Sequence, residues 1–229
     1  MSHHHEHHVT SSAALRDFVI GMADGLTVPF ALAAGLSGAV DSTGLIVTAG
    51  VAEIAAGAIA MGLGGYLSAK TEKQHYDSEY ARELHEVKHL PKVEAKEVSD
   101  ILVGFGVPEA ELPVVVKAIC EHPEKWVDFM MRFELGLERP DPRRILQSPL
   151  IIGGAYVMGG LVPLMPYIFM KHVAEALPMS ALVSLIALIA FGAFKGYFTG
   201  QKMWAAATQT ALIGSLAAMA AFSIAKLVT

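Results

Sequence analysis

Three observations predict an all-α membrane protein with five transmembrane helices per subunit and a helical cytosolic domain inserted between spans two and three. Five apolar stretches approach or reach the roughly 20 residues a helix needs to cross a bilayer: Phe18 to Ala39, Gly44 to Leu67, Leu150 to Met170, Ala181 to Phe198 and Trp204 to Leu227. Only 17% of residues are charged, against roughly 25% in a soluble domain, and mean hydropathy is +0.46. The charges are also concentrated, because 16 of the 22 acids and 12 of the 17 bases fall between Lys70 and Arg144. Two apolar blocks therefore flank one polar, folded insertion.

Residues 1–15 form a histidine-rich tail. Its start, "MSHHHEHHVTSS", lacks the basic, apolar and small-residue pattern of a secretory signal, so span one is expected to insert uncleaved. The histidines read either as a purification tag or as a weak metal-collecting tail. Residues 16–69 hold spans one and two, each carrying one carboxylate that hydrocarbon would penalise. Span one has Asp24 and span two has Glu53, and Glu53, Gly57 and Met61 share one side of a helix through their i, i+4, i+8 spacing. Gly57 leaves room for a close neighbour or an ion. Intramembrane carboxylates serve an ion or proton pathway by default, and interhelical hydrogen bonding is the structural alternative.

Span two is expected to run on past the membrane, since no Gly or Pro interrupts "SAKTEKQHYDSEYARELHEVKHL" before Pro91. Residues 70–144 then form the inserted domain, with shorter helices near Lys92 to Val103, Glu109 to Cys120 and Glu124 to Leu137. Glu79, Glu83 and Glu86 are spaced i, i+4, i+7, and Glu94 and Glu97 repeat the i, i+3 spacing. Carboxylates at these separations repel, and a bound divalent cation relieves the repulsion. Met130 and Met131 sit four and three residues before Glu134, and a thioether beside carboxylates suits a transition metal. The competing reading is a solvated charged hairpin with methionines in its core.

"EKQH" (Glu72, His75) and "EVKH" (Glu86, His89) match the Glu-x-x-His pairs of di-iron bundles. On one unbroken helix they stand about 21 Å apart, too far to share two adjacent metals. These histidines read as surface residues or, at most, auxiliary ligands. Cys120 is the only cysteine, which excludes a disulfide within the chain and a thiolate zinc site. No phosphate-binding loop or dinucleotide fingerprint is present, so nucleotide-driven pumping, a cofactor and an enzymatic role are not expected.

Residues 145–229 hold spans three to five. Arg16, Lys70, Lys73, Arg143, Arg144, Lys195 and Lys202 flank one set of span ends, and Lys171 and Lys226 the other. The bias places the N-terminus and the 70–144 insertion in the cytosol and the C-terminus on the opposite side. A faint repeat pairs "DGLTVPF" of span one with "GGLVPLMP" of span three, and "GYLSA" of span two with "GYFTG" of span four.

"DFVIGMADGLTVPFALAAGLSGA", "AEIAAGAIAMGLGGYLSAKTE" and the Glu-x-x-Glu insertion together resemble the vacuolar iron transporter family, and its plant members closely. The resemblance covers nearly the whole chain after the histidine-rich start. It implies a homodimer in the vacuolar membrane, a proton-coupled antiporter moving Fe²⁺ from cytosol to vacuole, with the C-terminus lumenal. It also implies that Asp24, Glu53 and Met61 line a path at the dimer interface, and that Glu83, Glu86, Glu94, Glu97, Met130, Glu134 and Met131 bind metal. The partners expected are therefore metal ions, protons, the lipid bilayer and a second subunit, with no nucleic acid. Alternatives are a broader divalent transporter of Mn²⁺, Co²⁺ or Zn²⁺, and a membrane-anchored metal-binding or ferroxidase-like protein.

Overall fold

The computed structural model describes residues 13–228, which form eight helices and no strand. The tail histidines His3, His4, His5, His7 and His8 lie outside the described residues. Helices α1 (Ala13–Ser37), α2 (Thr43–His89), α6 (Arg144–Phe169), α7 (Val173–Phe198) and α8 (Met203–Val228) are long and apolar enough to cross a membrane. Between α2 and α6 come three short helices, α3 (Pro91–Gly104), α4 (Leu112–Cys120) and α5 (Pro123–Phe133). The chain divides into two compact units. One is built from the segments up to Tyr66 and from Ile145 onward, the other is Leu67–Arg144.

Several helix limits differ from the sequence expectation, each for a local reason. Helix α7 starts at Val173, eight residues before the expected Ala181, and runs through Pro178. A proline near a helix start removes one hydrogen bond, and buried Val173 and Ala176 pack into a core with Ile46, Leu164 and Tyr167 that holds the extra turns. Helix α6 likewise starts at Arg144 rather than Leu150 and passes through Pro149. Helix α4 begins at Leu112, not Glu109, with Pro113 in its first turn, where no backbone donor is needed. Helix α5 stops at Phe133, short of Leu137. Gly136 adopts φ 64°, and the Leu137 N–H donates to the Met131 carbonyl at 2.8 Å, which closes the helix end.

In the first unit the helices cross closely where glycine replaces a side chain. A Cβ on Gly25 of α1 would fall inside the Tyr156 backbone of α6, and one on Gly159 of α6 would lie 2.8 Å from the Leu26 nitrogen. These contacts advance in the same direction along both helices, so α1 and α6 run parallel, and the two repeat-like stretches meet each other face to face. Small residues are how membrane helices reach such separations. Polar bonds add to the packing: Ser180 of α7 donates to the Pro163 carbonyl at 2.7 Å, and the Ser37 and Tyr167 hydroxyls pair at 2.8 Å.

The second unit has a core of its own. Tyr76 and Val87 of α2, Val98 and Leu102 of α3, and Trp126, Val127, Met130 and Met131 of α5 are buried together. Helix α2 ends at His89, and Pro91 opens α3 after Leu90 (φ −125°, ψ 41°). Burying Val87 with Val98 and Leu102 sets α3 against α2. That packing returns the first turn of α3 toward the glutamates of α2.

Candidate functional site

Glu83 and Glu86 of α2 and Glu94 of α3 converge, each offering a carboxylate oxygen within 4.8 Å of the others. Glu83 is 1% and Glu94 3% exposed. The Oε2 atoms of both are buried without a hydrogen-bond partner. Buried polar oxygens are normally paired, because leaving one unpaired costs about 1–3 kcal/mol. The donor set, three carboxylates with open lone pairs, suits a divalent cation. Glu94 also lies in the first turn of α3, where the helix dipole favours negative charge.

Burial, followed by the charges of Glu97 and Glu83, pushes the Glu94 carboxyl up to about 7. Burial raises Glu83 too, opposed by its hydrogen bond from Arg82. Glu134 is raised by desolvation and then by Glu83 and Glu97. The five carboxylates Glu83, Glu86, Glu94, Glu97 and Glu134 therefore act on one another as one electrostatic cluster. Met130 and Met131 are 0% and 1% exposed. Both side chains are part of the apolar core with Val98, Val127 and Trp126.

Sequence reasoning passed over the resident counter-ion. The Arg82 guanidinium reaches Glu79 at 2.9 Å, Glu83 at 3.3 Å and Glu86 at 3.8 Å. Its signal was present in the i+3 and i+4 spacing from Glu79 and to Glu86. Arg82 competes with any incoming cation. Arg82→Gln is expected to tighten Mn²⁺ binding about two- to tenfold at neutral pH, the range of a few half-exposed ion pairs. Calorimetric titration of the full chain in detergent checks this.

Of the Glu-x-x-His pairs, both lie on the unbroken helix α2, and Glu72 pairs with Arg144 at 3.3 Å.

In the apolar unit, Asp24 is exposed on α1 and Glu53 is half-buried on α2. Met61 is half-buried two turns further along α2, about 12 Å from Glu53 along the axis. The space at Gly57 is taken: a Cβ there would lie 2.5 Å from the Tyr156 hydroxyl of α6. That hydroxyl donates to Glu53 Oε1 at 2.5 Å, while Glu53 Oε2 is buried without a partner. Glycine at 57 thus admits a neighbour, and that neighbour is the Tyr156 ring. Tyr156 was missed because nothing in "GGAYVMGG" marks it as a partner of a residue 103 positions away. Asp17, 4% exposed, was also missed. It stands seven residues before Asp24 and so shares a helix side with it.

A model of the VIT family matches residues 15–226. The chain belongs to the VIT family. It is similar to Vacuolar iron transporter 1 of Arabidopsis thaliana, 53% identical over 100% of this chain and 91% of that protein. Vacuolar iron transporter of Centaurea cyanus is 54% identical over 99% and 92% respectively. Protein CCC1 of Saccharomyces cerevisiae is 39% identical, over 93% of this chain and 68% of its own length. The plant VIT relatives bear transporter names rather than enzyme names.

Proposed function

We propose that this VIT-family chain carries Fe²⁺ from the cytosol into the vacuole in exchange for protons, and that its 67–144 unit faces the cytosol and captures the ion. The observation that carries the reading is the convergence of Glu83, Glu86 and Glu94 with two buried, unpaired carboxylate oxygens, in a chain half identical to named vacuolar iron transporters. Glu97, Glu134, Met130 and Met131 complete the capture region in this reading.

Asp24, Glu53 and Met61 line the path through the membrane. An exposed carboxylate on a lipid-facing helix is costly, so the exposed Asp24 argues for a covered, wet surface. A homodimer supplies that cover. Ala52, Ala56, Ala60 and Gly64, all exposed, form an i, i+4 stripe along α2 next to the Glu53, Gly57 and Met61 row. Small residues in that register let a second helix approach closely.

Proton coupling follows from competition for the same oxygens. Carboxylates must be deprotonated to hold a metal. On the cytosolic side they bind Fe²⁺; on the acidic side they take up protons and release it. A capture site of carboxylates and thioethers also accepts Mn²⁺, Co²⁺ and Zn²⁺, so selectivity broader than Fe²⁺ is consistent with the same geometry.

Proteoliposomes loaded at acidic pH test the whole reading. Fe²⁺ uptake is expected to alkalinise the interior, and Asp24→Asn is expected to reduce uptake about tenfold or more, the loss of one charged partner along the path. Uptake without alkalinisation rejects antiport. Undiminished uptake by Asp24→Asn removes Asp24 from the path.

A further inference from the structure

We propose that His85 and His89 form a separate two-imidazole site for a borderline divalent transition metal such as Cu²⁺, Zn²⁺ or Ni²⁺. The two residues are one turn apart near the end of α2, both exposed, with ring centroids 4.0 Å apart and planes 26° from parallel. His89 Nδ1 lies 2.8 Å from the His85 carbonyl oxygen. A carbonyl oxygen only accepts, so Nδ1 carries the proton and donates it. That bond fixes the His89 tautomer and leaves Nε2 with its lone pair in the plane of the ring. A second-site hydrogen bond of this kind, from the other ring nitrogen to a backbone carbonyl, is how metal-binding imidazoles are oriented. A metal bonds imidazole nitrogen at about 2.0–2.1 Å, so the stacked rings splay from one another to bring a lone pair of each onto one ion, and both side chains are exposed and have room to turn.

The surroundings favour a cation. His89 closes the last turn of α2, at the negative end of the helix dipole. Glu86 lies one turn back from His89. The Lys88 and Lys92 ammonium groups are on flexible, exposed stems that swing into water. The site is also distinct from the glutamate cluster. At about 100° per residue, both imidazoles project more than about 100° around α2 from Glu83. Nitrogen donors select softer ions than the carboxylates do, so the two sites on α2 sort ions by chemistry. An ion at the imidazole pair waits one turn from Glu86.

The test is Cu²⁺ electron paramagnetic resonance on the full chain in detergent, with His3, His4, His5, His7 and His8 changed to alanine so that the tail contributes no nitrogen. A Cu²⁺ signal with two nitrogen donors is expected, amounting to one such ion per chain and separate from any oxygen-ligated Cu²⁺ at the glutamates. His85→Ala keeps the His85 backbone carbonyl, and so keeps the His89 hydrogen bond. It is expected to leave one nitrogen and weaken Cu²⁺ binding at least tenfold, with an unchanged melting temperature in the absence of metal. Glu94→Gln is expected to leave the two-nitrogen signal intact. An unaltered signal in His85→Ala, oxygen-only donors in the parent chain, or loss of the signal in Glu94→Gln each overturns the proposal.

Discussion

Replacing Glu83 and Glu94 together by glutamine is expected to weaken Mn²⁺ binding to the full chain by more than about 100-fold, because two of three converging charged ligands are lost. The glutamines keep the shape and can still accept hydrogen bonds, so the loss reports ligand charge rather than collapse of the unit. Stability moves the other way. Glu94 titrates near 7 in the folded chain against an ordinary value of 4.5. Its raised value means the folded state holds the proton more tightly than the unfolded state does. The metal-free protein is therefore favoured by this group below about pH 4.5, and that contribution is lost as pH rises through 7. The span corresponds to on the order of 3 kcal/mol. Without metal, Glu94→Gln should stabilise the chain at pH 8 and change little at pH 5. A purely structural carboxylate would give the opposite result at pH 8. Saturating Mn²⁺ should reverse the pH trend of the parent chain, adding about 2.7 kcal/mol at a hundred times its dissociation constant. Binding itself should weaken about tenfold per pH unit below 7 as Glu94 takes up its proton. Thermal melts at pH 5 and pH 8, with and without Mn²⁺, read all of these effects.

Gly25→Ala is expected to be among the most damaging single-methyl additions in the apolar unit. The added Cβ meets the carbonyl oxygen, Cα and carbonyl carbon of Tyr156, all backbone atoms. A side chain can rotate away from a new neighbour, but a helix backbone can only shift as a whole. Overpacking a tight core costs about 1–3 kcal/mol and sometimes more, and a backbone-on-backbone clash belongs at the upper end. Moving α6 also moves Tyr156, whose hydroxyl holds Glu53. Gly25→Ala should therefore lower the melting temperature and impair metal uptake together. Gly154→Ala, on the same helix as Tyr156, has no atom within 4 Å of the added Cβ and serves as the comparison. Equal melting temperatures for the two variants would show that the α1 and α6 crossing has slack the geometry does not reveal.

The candidate site was legible to different depths in its different parts. Glu83 and Glu86 lie on one helix, so helical spacing alone put them together. Glu94 stood out by its own spacing to Glu97, but its meeting with Glu83 depends on a reversal at Leu90 and Pro91 whose direction is set by packing of Val87, Val98 and Leu102. Met130 and Met131 stood out by their spacing to Glu134, but that both side chains also join the apolar core with Val98, Val127 and Trp126 depends on tertiary packing. Helix ends were misjudged where prolines stood near a helix start, as at Pro149 and Pro178, because burial of neighbouring residues outweighs one missing hydrogen bond.

By itself the sequence determined the five apolar helices, the charged segment between the second and third of them, and the two rows of glutamates. Each of these is a property of hydropathy or helical period and needs no knowledge of distant contacts. Tertiary structure alone decided which oxygens are left unpaired and that the cleft at Gly57 receives Tyr156. Those depend on how one helix surface settles on another, and the partners of Glu53 and Glu94 are fixed only once that packing exists.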